Sequence, residues 1–208
     1  MSVFDSARRF ASIHPSTDQG ESQVKRPDRT LHEHQSSDIK GKSRNRERKN
    51  EKMTERWVGI VVAGDSVILV DSEVPETGQL VLQNDATWRL QAGDRAPAYN
   101  VIHQQCRDYL AENKISKVLI MESATARGAG LLHLRSAELR GVVYAAAASV
   151  CEVKSVSKSV LSRTFGERKV GEYEKDDGFW TKHFTGTDLR VGSRSAAIML
   201  LSESGRNA

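Results

Sequence analysis

The sequence predicts an α/β fold: a mixed five-stranded sheet flanked by helices, preceded by a disordered tail. Three observations predict it. Val118–Met121, with Ile115 just before, is an unbroken apolar run that ends in a carboxylate, Glu122. Such a run reads as a strand buried on both faces. Trp57–Ala63 and Ser66–Asp71 are β-branched and apolar on either side of the tight-turn pair Gly64-Asp65, which reads as a β-hairpin. Helical spacing of apolar residues then separates the later strands, and strands joined through helical crossovers run parallel.

Length and composition set the frame. The chain has 208 residues, for which one domain is the default. It is 38% hydrophobic and 28% charged, with a mean hydropathy of −0.51. That is polar for a chain folded throughout. Residues 1–53 explain it: they lack sustained periodicity and large apolar residues are scarce after Ile13, so they read as a disordered basic tail or linker. They hold 12 of the 31 basic and 8 of the 27 acidic residues, so the whole net charge of +4 lies there. The folded part, 54–208, is neutral, and the basic balance is no nucleic-acid signature of that domain. Lys40–Lys52, KGKSRNRERKNEK, is the most basic segment and reads as a solvated linker able to touch phosphates non-specifically. Met53 stands directly before the first ordered-looking residues, so translation from it would yield the domain almost without overhang. No apolar run approaches the roughly 18–20 residues of a membrane span, and the N-terminus lacks the apolar core of a secretory signal. Cys106 and Cys151 have no ligand-like spacing and read as reduced thiols of a cytoplasmic protein.

The elements follow in order. After the hairpin, Leu80–Leu82 makes a third strand that Trp88–Leu90 extends, with Asn84–Ala98 otherwise loop-like. Ala98–Asn113 is a helix with Val101, Ile102, Cys106, Tyr109 and Leu110 on one stripe, and Asn113 as its stop. Lys117–Glu122 is strand four. Leu132–Val150 is a helix whose small-residue centre, Ala145–Ala148, allows close approach to a sheet. Cys151–Val156 is strand five, and Ser157–Phe165 is a short helix with Ser157 as its cap. Glu167–Asp188 reads as charged and irregular, and Gly192–Ser204 is a closing helix.

Parallel strands four and five place their carboxyl ends side by side, where open α/β sheets hold ligands. Glu122, Arg127, Ser157 and Lys158 then surround one cleft. A phosphate held by Arg127 and Lys158, with Ser157 beside them, is one reading, since backbone N–H groups near a helix start favour anions. A structural ion pair between Glu122 and one of these cations is the other. His103, His133 and His183 share no ligand spacing, and no Ser–His–acid order, P-loop or dinucleotide fingerprint occurs.

Four segments together resemble the ribonuclease-H-like fold and, within it, the RuvC-type Holliday-junction resolvases and related bacterial proteins. WVGIVVAGDS (57–66) is similar to the first strand and turn. VLIMES (118–123) is similar to the strand ending in the second catalytic carboxylate. ELRGVVYAAAASVCEVKSVSKSVLSRTFG (138–166) is similar to the helix–strand–helix segment, and GSRSAAIMLLSE (192–203) to the last helix. The resemblance implies a metal-dependent nuclease site in which carboxylates hold two Mg²⁺ ions roughly 3.5–4 Å apart. Only Glu122 matches as catalytic residue and metal ligand. Val61 stands at the first-strand position, and Ser193, Arg194 and Ser195 stand where the last helix supplies acids. Asp65, in the hairpin turn, and Asp188, before the last helix, are the substitutes at hand.

Three functions remain open at this level: a RuvC-like domain without a complete metal site that binds DNA or RNA as an accessory protein; a divergent metal-dependent nuclease using Glu122 with Asp65 or Asp188 and Mg²⁺; and a protein-interaction domain without nucleic acid.

Overall fold

The computed structural model describes residues 54–123 and 130–206. Its first strand shows how alternation builds the layers. In β1 (Glu55–Ala63), Val58, Ile60 and Val62 enter one apolar cluster, while Trp57 and Val61 pack against another on the opposite face. A strand covered on both sides has no polar face, which is why the run reads as continuous hydrophobicity. β2 (Ser66–Val74) returns antiparallel from the Gly64-Asp65 turn, and β3 (Leu80–Arg89) pairs antiparallel with β2. After α1 (Arg95–Glu112), β4 (Lys117–Met121) lies parallel to β1. After α2 (Leu131–Ala148), β5 (Glu152–Val156) lies parallel to β4. The hairpin, both crossovers and the mixed sheet are those expected from sequence.

Three expectations need correction. The sheet has six strands, in the order β5-β4-β1-β2-β3-β6, because Phe184–Gly186 forms β6 parallel to Leu80–Leu82. The short helix expected at Ser157–Phe165 forms as α3 (Lys158–Thr164), whereas the segment read as irregular, Glu167–Asp188, is built as α4 (Val170–Tyr173), α5 (Asp177–His183) and β6. Phe165, Tyr173, Phe179 and Trp180 form an edge-on and tilted aromatic cluster that covers this face. Asn84–Thr87, read as loop-like, belongs to β3, which runs on to Arg89. The reading of residues 1–53 as a disordered tail lies outside the described residues.

α1 and α2 cover one face of the sheet, and the closing helix α6 (Arg194–Ser204), entered through a 3-10 turn at Val191–Ser193, lies on the other. Ala196–Leu201 are all fully buried, as a helix between a sheet and further helices must be. Gly59 makes this docking possible, since a Cβ there would sit 2.3 Å from the Ala196 carbonyl oxygen. No helix among the described residues is long and apolar enough to cross a membrane.

Candidate nucleic-acid interface

The parallel strands β1, β4 and β5 end together, and α2 begins where they stop. Their ends and the first turns of α2 enclose a cleft of about 370 Å³ lined by Val61–Gly64, Met121–Ser123, Leu132, His133, Ser136, Arg140 and Lys158. Ser136 fastens α2 across the hairpin turn: the Gly64 N–H donates to its Oγ at 2.9 Å, while the hydroxyl donates to the Leu132 carbonyl at 2.9 Å.

Glu122 and Lys158, both predicted from sequence, line this one cleft and are exposed. Glu122 is held through its backbone, whose N–H donates to the Val156 carbonyl at 2.9 Å. Its carboxylate makes no ion pair among the described residues, and neither does the Lys158 ammonium. Ser157 is the N-cap of α3: the Val160 N–H donates to its Oγ at 3.3 Å, which fixes Lys158 as the first helical residue. Arg127 lies outside the described residues.

The reading from sequence missed Arg140 as a cleft residue. One turn beyond Ser136, its guanidinium donates to the Ser123 hydroxyl and, at 3.4 Å, to the Val62 carbonyl, so it spans the ends of β4 and β1. Its Nε is buried without a partner. Burial lowers its pKa from the ordinary guanidinium value, and no carboxylate among the described residues offsets that. A guanidinium nevertheless stays charged at neutral pH. The i, i+4 spacing of Leu132, Ser136 and Arg140 was the available signal, because it places all three on the side of α2 that meets the sheet edge.

The remaining candidates lie elsewhere. Asp65 is in the hairpin turn and pairs with Arg95 at 3.2 Å. Asp188 lines a separate cavity of about 500 Å³ with Asp177, Trp180 and Arg194. The residues at the start of α6 are engaged in the fold. The Ser193 hydroxyl donates to Asp85 at 2.5 Å, and Ser195 donates to the Glu174 carboxylate at 2.5 Å. Arg194 is buried, donates to the Glu174 carbonyl at 2.8 Å and pairs with Asp177.

No sequence-family profile and no curated protein matches the chain. Solved structures do. Thermus thermophilus RuvC, alone and in complex with a Holliday junction substrate, superposes with a TM-score of 0.57 at 14% identity, covering 72% of this chain and 93% of that one. The yeast mitochondrial Holliday junction resolvase Ydc2 superposes with a TM-score of 0.54 at 14% identity, covering 74% and 81%. The fold is RuvC-like. Within it, a two-magnesium site would need several carboxylates at this end of the sheet. Glu122 is the single acid lining the cleft, residues 124–129 contain none, and no three His, Cys, Asp or Glu side chains converge on one point among the described residues. The donor set does not fit the magnesium pair.

Proposed function

We propose that this RuvC-like domain binds DNA or RNA as an accessory protein of the bacterial cytoplasm, without a complete metal site, by seating a backbone phosphate in the cleft between β1, β4 and α2. One observation carries the reading: Arg140 is partly buried at the cleft wall, lacks a carboxylate partner among the described residues, and shares the cleft with a second cation, Lys158, that is likewise unpaired among them. Withdrawing a cation from water without a counter-charge is costly, and a phosphate supplies that charge from outside with bidentate geometry. Ser157 acts by setting the start of α3 and so the position of Lys158, and Arg127, which lies outside the described residues, is proposed as a third cation for the same anion. The Holliday junction bound by Thermus thermophilus RuvC supports nucleic acid as the anion's source. The pairing of Ser193, Arg194 and Ser195 within the fold supports an accessory role over cleavage.

The test is salt-dependent binding to branched, duplex and RNA–DNA hybrid substrates, with Mg²⁺ and Mn²⁺ titrated in parallel. Arg140→Ala and Lys158→Ala are each expected to weaken binding and to lower the log–log salt slope by about 0.7–0.9. The protein is expected to cleave none of the substrates. Equal affinity and equal slopes for wild type and the double variant would remove nucleic acid from the cleft. Metal-dependent cleavage lost in Glu122→Gln would instead establish the divergent nuclease.

A further inference from the structure

A second cavity, of about 500 Å³, is lined by residues of α5, β6 and the start of α6. Trp180, Phe184 and Leu189 supply apolar wall, and Asp177, Asp188 and Arg194 supply charge. Small-molecule sites combine apolar walls with a few placed polar groups in this way, and in this range of volume. The three charges differ in setting. The Arg194 side chain is only 8% exposed, and its guanidinium lies over the Trp180 ring, 5.9 Å from the centroid. One Nη donates to the Glu174 carbonyl, while Nε is buried without a partner. The counter-charge is Asp177, the first residue of α5, whose side chain is 84% exposed. Asp188 is also exposed and has no ion pair among the described residues. Arg194 and Asp177 are therefore an unequal pair. The guanidinium has lost its water and depends on a counter-charge. The carboxylate keeps most of its water and gains little by staying. An anion inside the cavity is better shielded than Asp177 and competes with it for the same N–H groups.

We propose that this cavity binds a small zwitterion with an apolar body, an amino acid or a dipeptide, whose carboxylate displaces Asp177 from Arg194 and whose ammonium meets Asp188. The site is separate from the cleft between β1, β4 and α2, and it stands whether or not that cleft seats a phosphate. Charge selects this ligand over others. The cavity holds two carboxylates and one guanidinium. A nucleic-acid phosphate would satisfy Arg194 but bring a further anion to Asp177 and Asp188. A metal ion would suit the two carboxylates but not the guanidinium that shares the cavity with them. A zwitterion answers both signs. After the exchange Arg194 faces the ligand carboxylate, Asp188 faces the ammonium, and Asp177 returns to water. The apolar body then covers the wall of Trp180, Phe184 and Leu189, whose removal from water is favourable.

Isothermal titration of the full chain tests the site. The probes are the standard amino acids and a set of apolar dipeptides, each also with its amine acetylated or its carboxylate amidated. Wild type is expected to bind at least one apolar member in its free form and to reject both blocked forms. Asp188→Asn is expected to weaken that binding at least about tenfold, as loss of a charge-assisted hydrogen bond does, and to accept the acetylated form as well as the free one. Asp188 is exposed, so its variant should fold, and an unchanged unfolding midpoint checks this. Asp177→Asn gives the sharper sign. It removes the competing anion, so it is expected to lower the midpoint slightly and yet to bind the ligand more tightly. A purely structural pair would lose stability with no gain in affinity. Affinity unchanged or reduced in Asp177→Asn would overturn the exchange. Free and blocked forms bound equally well would overturn the zwitterion, and no binding by any member of the panel, to wild type or to Asp177→Asn, would overturn the site. Displacement of the bound ligand by duplex DNA, lost in Arg194→Lys but not in Arg140→Ala, would assign the cavity to a phosphate instead.

Discussion

The two ends of the sheet treat charge in opposite ways. At the amino end of the parallel strands, Arg56 grips Asp71 through both Nε and Nη2, at 2.8 and 2.7 Å. Asp71 is fully buried and also accepts the Tyr109 hydroxyl at 2.6 Å, while the Asn84 amide donates to that same hydroxyl at 3.0 Å. Lys117 and Lys154 share Glu203 at 3.1 and 2.6 Å. At the carboxyl end, Glu122, Arg140 and Lys158 line one cleft, and none has a partner of opposite charge among the described residues. Buried charge is tolerable when paired and hydrogen-bonded, and costly otherwise. The paired end closes the fold upon itself. The unpaired end leaves electrostatic work for a ligand, which makes it the better place to look for function.

The contrast breaks most visibly in stability. Asp71→Ala strands Arg56 and the Tyr109 hydroxyl beside an empty buried position. It is expected to cost about 3 kcal/mol or more, a fall in midpoint of at least roughly 6 °C for a domain of this size. Glu122→Gln removes an exposed carboxylate that has no ion pair among the described residues, and its cost is expected to stay within about 0.5 kcal/mol. Denaturant unfolding of the two variants side by side measures the difference. Equal losses would mean that the carboxyl end is as structural as the amino end.

Which of these features could be read before folding follows from how local each one is. The hairpin and β4 were legible because alternation and an unbroken apolar run are properties of a few adjacent residues. The second half of β3 was not: Asn84 and Asp85 are poor strand signals, and Asp85 is extended because it lies opposite Val70 of β2. β6 is three residues whose strand character comes entirely from Leu80–Leu82. The site divides the same way. Glu122 and Lys158 follow from topology, since parallel neighbours must end together. Arg140 looks like a solvated helix residue until α2 is laid across the ends of β1 and β4, and that docking depends on Ser136 meeting Gly64, 72 positions apart.

A second prediction sharpens the contrast by separating stability from binding in one residue. Arg140→Met keeps the stem that packs along α2 and removes the uncompensated charge. Replacing a buried charge by an apolar group of similar volume is often neutral or stabilising, so unfolding is expected to be unchanged or slightly harder. Nucleic-acid affinity is expected to fall about tenfold, equivalent to about 1.4 kcal/mol. A clear loss of stability, with affinity retained, would make Arg140 a structural bridge between β1 and β4 and nothing more.

The smallest expected effect concerns acid, and it belongs to residues that are paired. Burial by itself would raise the Asp85 carboxyl, but hydrogen bonds from the Arg190 and Ser193 side chains and the Arg190 backbone outweigh it and hold the pKa below the usual value. Glu203 is likewise raised by burial and, on balance, lowered by Lys154 and Lys117. A carboxylate depressed in the folded state contributes stability that is fully present above its unfolded pKa, near 4 for these side chains. That stability is lost as pH falls through the lower folded value. Both residues should therefore steepen the acid limb of the stability profile below about pH 4. Asp85→Asn is expected to flatten that limb while lowering the neutral plateau. Glu203→Gln should do the same more weakly, because its own side chain is 16% exposed against 6% for Asp85, and solvent screens its pairs more. Unfolding free energies measured from pH 7 down to about pH 3 test the sign. An acid limb left unchanged by Asp85→Asn would show that the Arg190–Ser193 clasp does not hold the carboxylate ionised, and would detach the approach to α6 from the paired network that closes the fold.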